Sequence, residues 1–186
     1  MRLRLLLIAG ATICAAPAGA AMTVIGSGYA RSCFLAAETH RTKPADVALC
    51  TTALTEEGLT PRDRAATFVN RGILMMYNKN VAKALLDYEA AIRIKPDVAE
   101  AWVNKGIALI YLPGRALDAV AALSKGIDLK TSQPEVAHFS RALAYELAGD
   151  AKGAYLDYKQ ALQLKPGWPE ALEQIERFQV VQKKDG

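Results

Sequence analysis

The side chains that could perform chemistry in this 186-residue chain are few and scattered. Its two histidines, His40 and His138, are far apart in the sequence. The chain contains no Ser-His-Asp order, no metal-ligand spacing, no phosphate-binding glycine-rich loop and no dinucleotide-binding fingerprint. Carboxylates such as Asp87 and Glu89 are distributed as they are on solvated helix faces. We therefore predict a protein that is not an enzyme, with no catalytic residue, no cofactor and no metal ion.

Cys33 and Cys50 are the pair of side chains with the most definite chemistry. Sixteen residues separate them, which differs from a Cys-x-x-Cys redox motif, and His40 is the only histidine nearby to complete a zinc site. Paired thiols in an exported chain usually form a disulfide, and closing a loop of about 18 residues stabilises a fold by about 3 kcal/mol. We predict a structural disulfide. A redox-active or metal-binding pair, or two free thiols, are the alternatives.

A row of cations recurs along the chain. Arg71, Lys105 and Arg141 are the central residues of the strings Asn-Arg-Gly, Asn-Lys-Gly and Ser-Arg-Ala. Asp87 and Asp157 follow the two arginines by sixteen residues, whereas no acidic residue stands at the equivalent place after Lys105. Because the aspartate accompanies the arginine, we predict a structural ion pair in each of those two units and no partner for Lys105. The functional alternative is a row of cations that receives an acidic ligand.

The beginning of the chain is typical of a secretory signal peptide. Arg2 and Arg4 precede an apolar run that ends in Ala18-Gly19-Ala20, a small-x-small cleavage sequence. We predict a signal peptide over residues 1–20 and export, most simply to a bacterial periplasm. The alternative is a membrane anchor that is not cleaved, although Pro17 and the many glycines and alanines would make a poor spanning helix.

Cleavage would change the properties of the chain. It removes two arginines and Cys14, so the formal net charge falls from +4 to +2 and two cysteines remain. Removal of 20 of the 186 residues leaves 166, enough for one domain with a continuous core. The near-neutral remainder has no cluster of Lys and Arg interleaved with aromatic residues, which argues against nucleic-acid binding. Membrane contact is not expected after cleavage.

The cations Arg71, Lys105 and Arg141 belong to a longer sequence pattern that occurs three times, over residues 65–98, 99–134 and 135–167. Gly72 and Gly106 are 34 residues apart, but Ala84 and Ala119 are 35 apart, so the second copy has one inserted residue in its turn. The turn is Leu112-Pro113-Gly114. The shared positions are filled by Phe68, Gly72, Ala84, Tyr88, Ala91 and Pro96, by Trp102, Gly106, Ala119, Leu123 and Gly126, and by His138, Ala142, Ala154, Tyr158, Ala161 and Pro166.

The pattern resembles the tetratricopeptide repeat (TPR), over residues 65–166 and, weakly, over residues 30–64. The resemblance implies an all-α fold, a TPR-like α-solenoid of antiparallel helix pairs. Residues 30–64 are then a degenerate, disulfide-linked helical hairpin, joined to the leader by a linker at residues 21–29. We predict that an amphipathic helix at residues 168–182 caps the last repeat. Its apolar stripe could instead hold a partner or a second copy, and residues 183–186 form a tail.

The resemblance also implies a concave groove lined by the first helix of each repeat. Carried over by position, its lining is mostly apolar, so the carboxylate clamp of chaperone-binding members is not expected. Such a groove suits an amphipathic helix or an extended apolar segment. The predicted groove residues are Val69, Ile73, Met76, Tyr77, Val103, Ile107, Ile110, Tyr111, Phe139 and Leu143, and Leu147 fills the last of these positions in the third copy.

We therefore predict a non-catalytic periplasmic interaction module or adaptor that binds a peptide or helix, its partner being another envelope protein. The alternative is a structural subunit whose groove is filled by residues 22–29, by the C-terminal helix or by a second copy in a homodimer. An exposed apolar strip of this size is rarely left uncovered in a monomer. The residues leave ligand binding and self-occupation equally open.

Overall fold

A computed structural model describes residues 2–5, 19–25 and 28–181, and it shows an all-α solenoid of antiparallel helix pairs. This confirms the predicted fold class. The helices are α1 Tyr29–Glu38, α2 Pro44–Glu56, α3 Pro61–Tyr77, α4 Val81–Ile94, α5 Ala99–Ile110, α6 Ala116–Asp128, α7 Pro134–Leu147, α8 Ala151–Leu164 and α9 Pro169–Glu176, and two short strands are β1 Arg2–Leu5 and β2 Phe178–Val181.

Consecutive helices form the repeating hairpins. Helices α3 and α4, α5 and α6, and α7 and α8 pair along their lengths, and each pair packs on the next. Helix α3 begins at Pro61, four residues before the predicted start of the first repeat, because Thr60 caps it by accepting a hydrogen bond from the Asp63 N–H (3.1 Å). Asn80 and Asp150 cap α4 and α8 in the same way.

The helices of a pair approach each other closely at a residue that lacks a side chain. A Cβ added at Gly72 would overlap the ring of Tyr88, and one at Gly106 would lie 2.5 Å from Leu123 Cγ. Tyr88 and Leu123 are themselves almost fully buried. The cost of a glycine inside a helix, about 1 kcal/mol relative to alanine, is therefore offset by burial of a large side chain from the facing helix.

The first hairpin is closed by a disulfide between Cys33 of α1 and Cys50 of α2, whose Cα atoms lie 4.8 Å apart. Both cysteines are fully buried, in a core cluster that also contains Ala36 and Ala65. Glu57 also joins the two helices, because its carboxylate accepts hydrogen bonds from the backbone N–H groups that begin α1. This terminal hairpin has a neighbour on one side only, and the crosslink supplements its packing.

The C-terminal end differs from the prediction. Helix α9 ends at Glu176, six residues before the predicted boundary at 182, and Phe178–Val181 forms β2, antiparallel to β1. Phe178 is buried against the rings of Tyr155 and Tyr158, which requires the chain to leave the helix. Two consecutive valines also favour an extended backbone. The short helix still covers α8, and Arg177 donates to Glu146 (2.8 Å).

Some predictions fall partly or wholly outside the described residues. The signal peptide includes residues 1 and 6–18, the linker includes residues 26 and 27, and the tail begins after residue 182; none of these has a described structure. Within the described ranges, no helix combines the length and apolar character that crossing a membrane requires.

Replacing both cysteines, as in Cys33→Ser with Cys50→Ser, should lower the free energy of unfolding by about 3 kcal/mol, because the unfolded chain regains the freedom that the crosslink removes. Urea denaturation monitored by circular dichroism measures this loss. Thiol labelling of the unfolded, unreduced chain recovered from the producing cell should find no free thiol at these positions. Two labelled cysteines there would contradict the disulfide.

Candidate functional site: the concave surface

The concave surface is formed by the first helices of the repeats, α3, α5 and α7, and most of the predicted groove residues on it are buried. Met76 and Leu143 are partly buried, and Tyr77 and Tyr111 are the two exposed members. The remaining six are covered: Val69, Ile73, Val103, Ile107, Ile110 and Phe139. The concave surface is therefore not an open apolar strip.

Two of these residues belong to the core between helices, which corrects the prediction for them. Val103 packs against Gly126 of α6 so closely that a side chain at Gly126 would overlap it. The Phe139 ring contacts Trp168 at 4.8 Å and Tyr158 at 5.4 Å between ring centroids. Val103 and Phe139 thus pack against second helices, at Gly126 of α6 and Tyr158 of α8, and this packing accounts for their burial.

Residues 19–25 cover the first part of the concave surface. This segment, which precedes α1, packs Ala21 and Met22 against the core cluster that contains Val69 and Ile73. Val24, only 3% exposed, joins a second cluster with Ala66 of α3. The expected linker is thus in part a bound segment, and it packs on the core cluster that contains two of the predicted groove residues, Val69 and Ile73.

Asn70 of α3 holds this segment by its backbone. Its Oδ1 accepts a hydrogen bond from the Met22 N–H, and its Nδ2 donates to the Met22 carbonyl, both at 2.8 Å. One buried side-chain amide therefore satisfies both polar groups of one residue, as a residue on a neighbouring strand does in an antiparallel sheet. This pairing requires an extended segment at that point.

Two further contacts hold the segment at alternate residues. Asn104 of α5, in the same repeat position as Asn70, donates to the Ala20 carbonyl (3.3 Å). Arg31 of α1 donates to the Val24 carbonyl (3.4 Å). In an extended chain every second residue turns its N–H and C=O groups toward the same edge. The protein thus contacts one edge of residues 20–24, which run from the second repeat back to the first hairpin.

A partly exposed apolar edge lies where the first helices end. Tyr77, Tyr111 and Leu147 occupy the same position in successive repeats and are 37%, 41% and 54% exposed. Beside Tyr111, a cavity of about 510 Å³ lies between the turn after α5 and the end of α7. Leu117 of α6, 72% exposed, also lines it. This edge borders the concave surface, and a partner could reach it in the described structure.

The arginines of the cation row contact the aspartates that follow them by sixteen residues. In the first repeat Arg71 donates from Nε and Nη2 to the two carboxylate oxygens of Asp87, at 2.8 and 2.7 Å. A third donor, Nη1, reaches Thr51 of α2 at 3.1 Å. The arginine therefore joins the first hairpin to the first repeat.

The third repeat contains the same arrangement with one additional residue. Arg141 contacts both carboxylate oxygens of Asp157, at 2.6 and 2.9 Å, and donates to Ser124 of the preceding repeat. His138 Nδ1 lies 2.8 Å from Asp157 Oδ1. Burial raises the pKa of the Asp157 carboxyl, but hydrogen bonds and charge from Arg141 and His138 outweigh burial and leave that pKa below its usual value.

The prediction that Lys105 has no partner is wrong, because the lysine forms an ion pair with a carboxylate of another repeat. Its Nζ lies 3.0 Å from Glu89 Oε1 of α4, in the preceding repeat. The aspartate position of its own repeat holds Ala122, so the lysine extends across the boundary between repeats. All three cations of the row therefore contact carboxylates of the chain, which leaves none as a ready receptor for an acidic ligand.

Among the described residues, no group of three or more His, Cys, Asp or Glu side chains is arranged to hold a metal ion. The residues that sequence reasoning missed are the two asparagines. Asn70 and Asn104 recur in the same repeat position, and that recurrence is the signal that could have identified them. Ser140 fills the position in the third repeat, and its buried hydroxyl has no hydrogen-bond partner among the described residues.

The solenoid is similar to a solved structure entitled "Crystal structure of MamA". The two share 18% sequence identity and superpose with a TM-score of 0.65, covering 81% of this chain and 82% of the other. The likeness shows the fold. No protein-family model matches the chain, and no curated protein matches it. What the concave surface does must therefore be argued from its own geometry.

Asp157→Asn should lower the free energy of unfolding at pH 7 by about 3 kcal/mol, because it leaves Arg141 buried without a full partner. The carboxylate has a lowered pKa in the folded state. Its stabilising effect is thus complete above the unfolded pKa of about 3.9 and is lost as the pH falls through the lower, folded value. The difference between wild type and variant should accordingly shrink below about pH 4.

Urea denaturation at a series of pH values measures this dependence. The control is Asp118→Asn, because the Asp118 carboxylate is exposed and pairs only with Arg115 on its own helix turn. The control should change stability by less than about 0.5 kcal/mol. An Asp157→Asn variant as stable as wild type at pH 7 would contradict the structural role of the Arg141 pair.

Proposed function

We propose that this protein is a non-catalytic, exported interaction module that binds an extended segment of a partner protein along its concave surface. The observation that carries the proposal is the binding of Met22 by Asn70, with two hydrogen bonds to its backbone. Side-chain contacts to the backbone accept many sequences in an extended conformation, and neighbouring apolar side chains add affinity. A surface that holds its own chain in this way has the chemistry to hold another.

The apolar edge supports the same function. Tyr77, Tyr111 and Leu147 continue beyond the covered part of the groove, and aromatic side chains are enriched at protein interfaces. A partner segment that lies on the concave surface would contact this row and the cavity beside Tyr111. The partner in this proposal is another protein of the same compartment.

A second candidate is favoured by the same segment. Because residues 20–24 already lie against Asn70, Asn104 and the core cluster that contains Val69 and Ile73, the concave surface could be a finished part of the fold in a structural subunit. In that case the apolar edge at Tyr111 is the surface available for contact, including contact with a second copy. The two candidates differ in what is found next to Tyr111 in the producing cell.

Photocrosslinking in the producing cell distinguishes them. A photoreactive amino acid at Tyr111 should yield a defined adduct with another protein, because this side chain lies at the exposed edge of the concave surface. The matched control places the same amino acid at Leu86 of α4, which is more exposed but lies outside that row. Mass spectrometry identifies the adducts.

An adduct at Tyr111 that is absent at Leu86 supports the interaction module and names the partner. Adducts at Tyr111 with a second copy only would favour the structural subunit. Equal, non-selective labelling at both positions would contradict a specific binding surface at this edge. Each outcome is read from a chain that retains its fold, since neither position is buried.

The compartment is a separate part of the proposal. A disulfide between two buried cysteines is what an oxidising, exported environment produces, and the arginine-led apolar start is typical of a signal peptide. The intact mass of the protein recovered from the producing cell should correspond to a chain that begins at Ala21, with a mass decrease of two for one disulfide. A mass that retains residues 1–20 would instead support the uncleaved anchor.

A further inference from the structure

We infer that residues 20–24 are a displaceable intramolecular ligand, and that the concave surface takes a partner's extended apolar segment in their place. The inference rests on the proposed function and specifies its ligand class. Three features of the described contacts carry it: how the segment is held, which of its side chains are covered, and how few elements hold it in place.

The segment is held as a ligand is held, through its backbone. Within the described residues its hydrogen bonds to the solenoid use the polar groups of Ala20, Met22 and Val24, and they come from side chains on three different helices. None of these bonds joins the segment to a neighbouring strand. A chain that is built into a fold usually pairs its backbone with other backbone, so contacts from asparagine and arginine side chains are characteristic of peptide recognition.

The side chains of the segment define the ligand class. Val24 is buried and Met22 is partly buried, whereas Thr23 between them is exposed, as expected for an extended chain with one face on the protein. At the other end, a Cβ on Gly19 would overlap the Asn104 amide, so glycine is favoured at that position. The surface therefore fits an uncharged segment that begins with small residues. An apolar residue then follows at the position of Met22, any residue at the position of Thr23 and an apolar residue at the position of Val24.

Displacement is favoured by the small number of contacts. If the chain is cleaved after Ala20, the Asn104 contact to the Ala20 carbonyl disappears. The segment then keeps its hydrogen bonds with Asn70 and Arg31 and the apolar packing of Met22 and Val24. Asn104 would still be held within its own helix by the Glu100 carbonyl (2.9 Å), so its loss of a partner costs the fold little. A longer partner segment would regain this contact and could also reach the apolar edge.

Met22→Pro should release the segment, because it removes one hydrogen bond and the packing of the Met22 side chain, and it changes no residue of the solenoid helices. Proline has no N–H, so the hydrogen bond to Asn70 Oδ1 is lost while Asn70 itself remains to bind a ligand. Thr23→Pro is the matched control, because the Thr23 side chain is exposed and its N–H makes no hydrogen bond among the described contacts. Both variants are made in the whole chain as recovered from the producing cell, and circular dichroism confirms that helicity is retained.

The probe is a synthetic peptide, acetyl-Ala-Ala-Met-Thr-Val-Ile-amide, which repeats residues 20–25. It is titrated into each chain while the side-chain amide signals of Asn70 are followed by NMR. We expect saturable shifts in the Met22→Pro chain and no saturation in wild type or in Thr23→Pro. The same peptide with a methyl group on the backbone nitrogen of methionine should bind at least about tenfold more weakly, because it cannot donate the hydrogen bond that Asn70 Oδ1 accepts.

Three results would overturn the inference. One is equal binding of the peptide to wild type and to Met22→Pro, which would place the peptide elsewhere. Another is equal binding of the N-methylated peptide, which would exclude a hydrogen bond from the peptide backbone N–H to Asn70 in the complex. The third is no binding to a folded Met22→Pro chain, which would show that the segment is part of the fold.

The cell experiment keeps this inference separate from the proposed function. If the segment competes with the partner, Met22→Pro should increase the adduct at Tyr111 and Asn70→Ala should decrease it. A Tyr111 adduct that neither substitution changes would support the interaction module but contradict the inference that residues 20–24 are a displaceable ligand. Peptide binding to Met22→Pro without any partner adduct would support the intramolecular ligand but contradict the proposed function.

Discussion

The architecture depends on how closely the two helices of each pair approach. Gly72 and Gly106 allow Tyr88 and Leu123 of the facing helices to pack directly on the backbone of the first helix. This contact fixes which face of the first helix turns inward, and therefore which residues reach the concave surface. In the third repeat the same position holds Ala142, which is fully buried, so a methyl group is accommodated there. The geometry of the binding surface follows from this packing.

The ion pairs add a second level of order, because they join neighbouring units as well as the helices within one unit. Arg71 reaches Thr51 of the preceding hairpin, Arg141 reaches Ser124, and Lys105 reaches Glu89. In a solenoid each repeat contacts only its neighbours. Contacts between units therefore contribute to the interface free energies on which cooperative folding of the array depends. The cations are therefore accounted for by the structure of the array. The chemistry available to a partner comes instead from the asparagines and the apolar edge.

The repeat spacing was sufficient to predict the all-α solenoid, and the pairing of Cys33 with Cys50 followed from the cysteine count and the helical pattern. The repeat spacing left open whether a ligand, residues 22–29, the C-terminal helix or a second copy occupies the groove, because slot positions show neither what covers a side chain nor how closely the next helix approaches it. Val103 illustrates this limit: its position was transferred as a groove position, whereas the approach of Gly126 makes it a core position. The end of α9 was missed for a related reason. Phe178 continues the helical periodicity, but burial against the tyrosines of α8 outweighed helical continuity.

Self-occupation changes what the concave surface can select. A segment attached a few residues from its site has an effective concentration on the order of millimolar, so a partner must bind well enough to exceed that competition. An uncovered groove of the same composition would bind many extended apolar chains weakly, since Asn70 contacts only backbone atoms that every residue except proline provides. With residues 20–24 in place, weak segments are excluded. A partner that also reaches the row at Tyr111 gains contacts that the internal segment lacks. Specificity can therefore arise from the length of the bound segment, even though the individual hydrogen bonds do not distinguish its sequence.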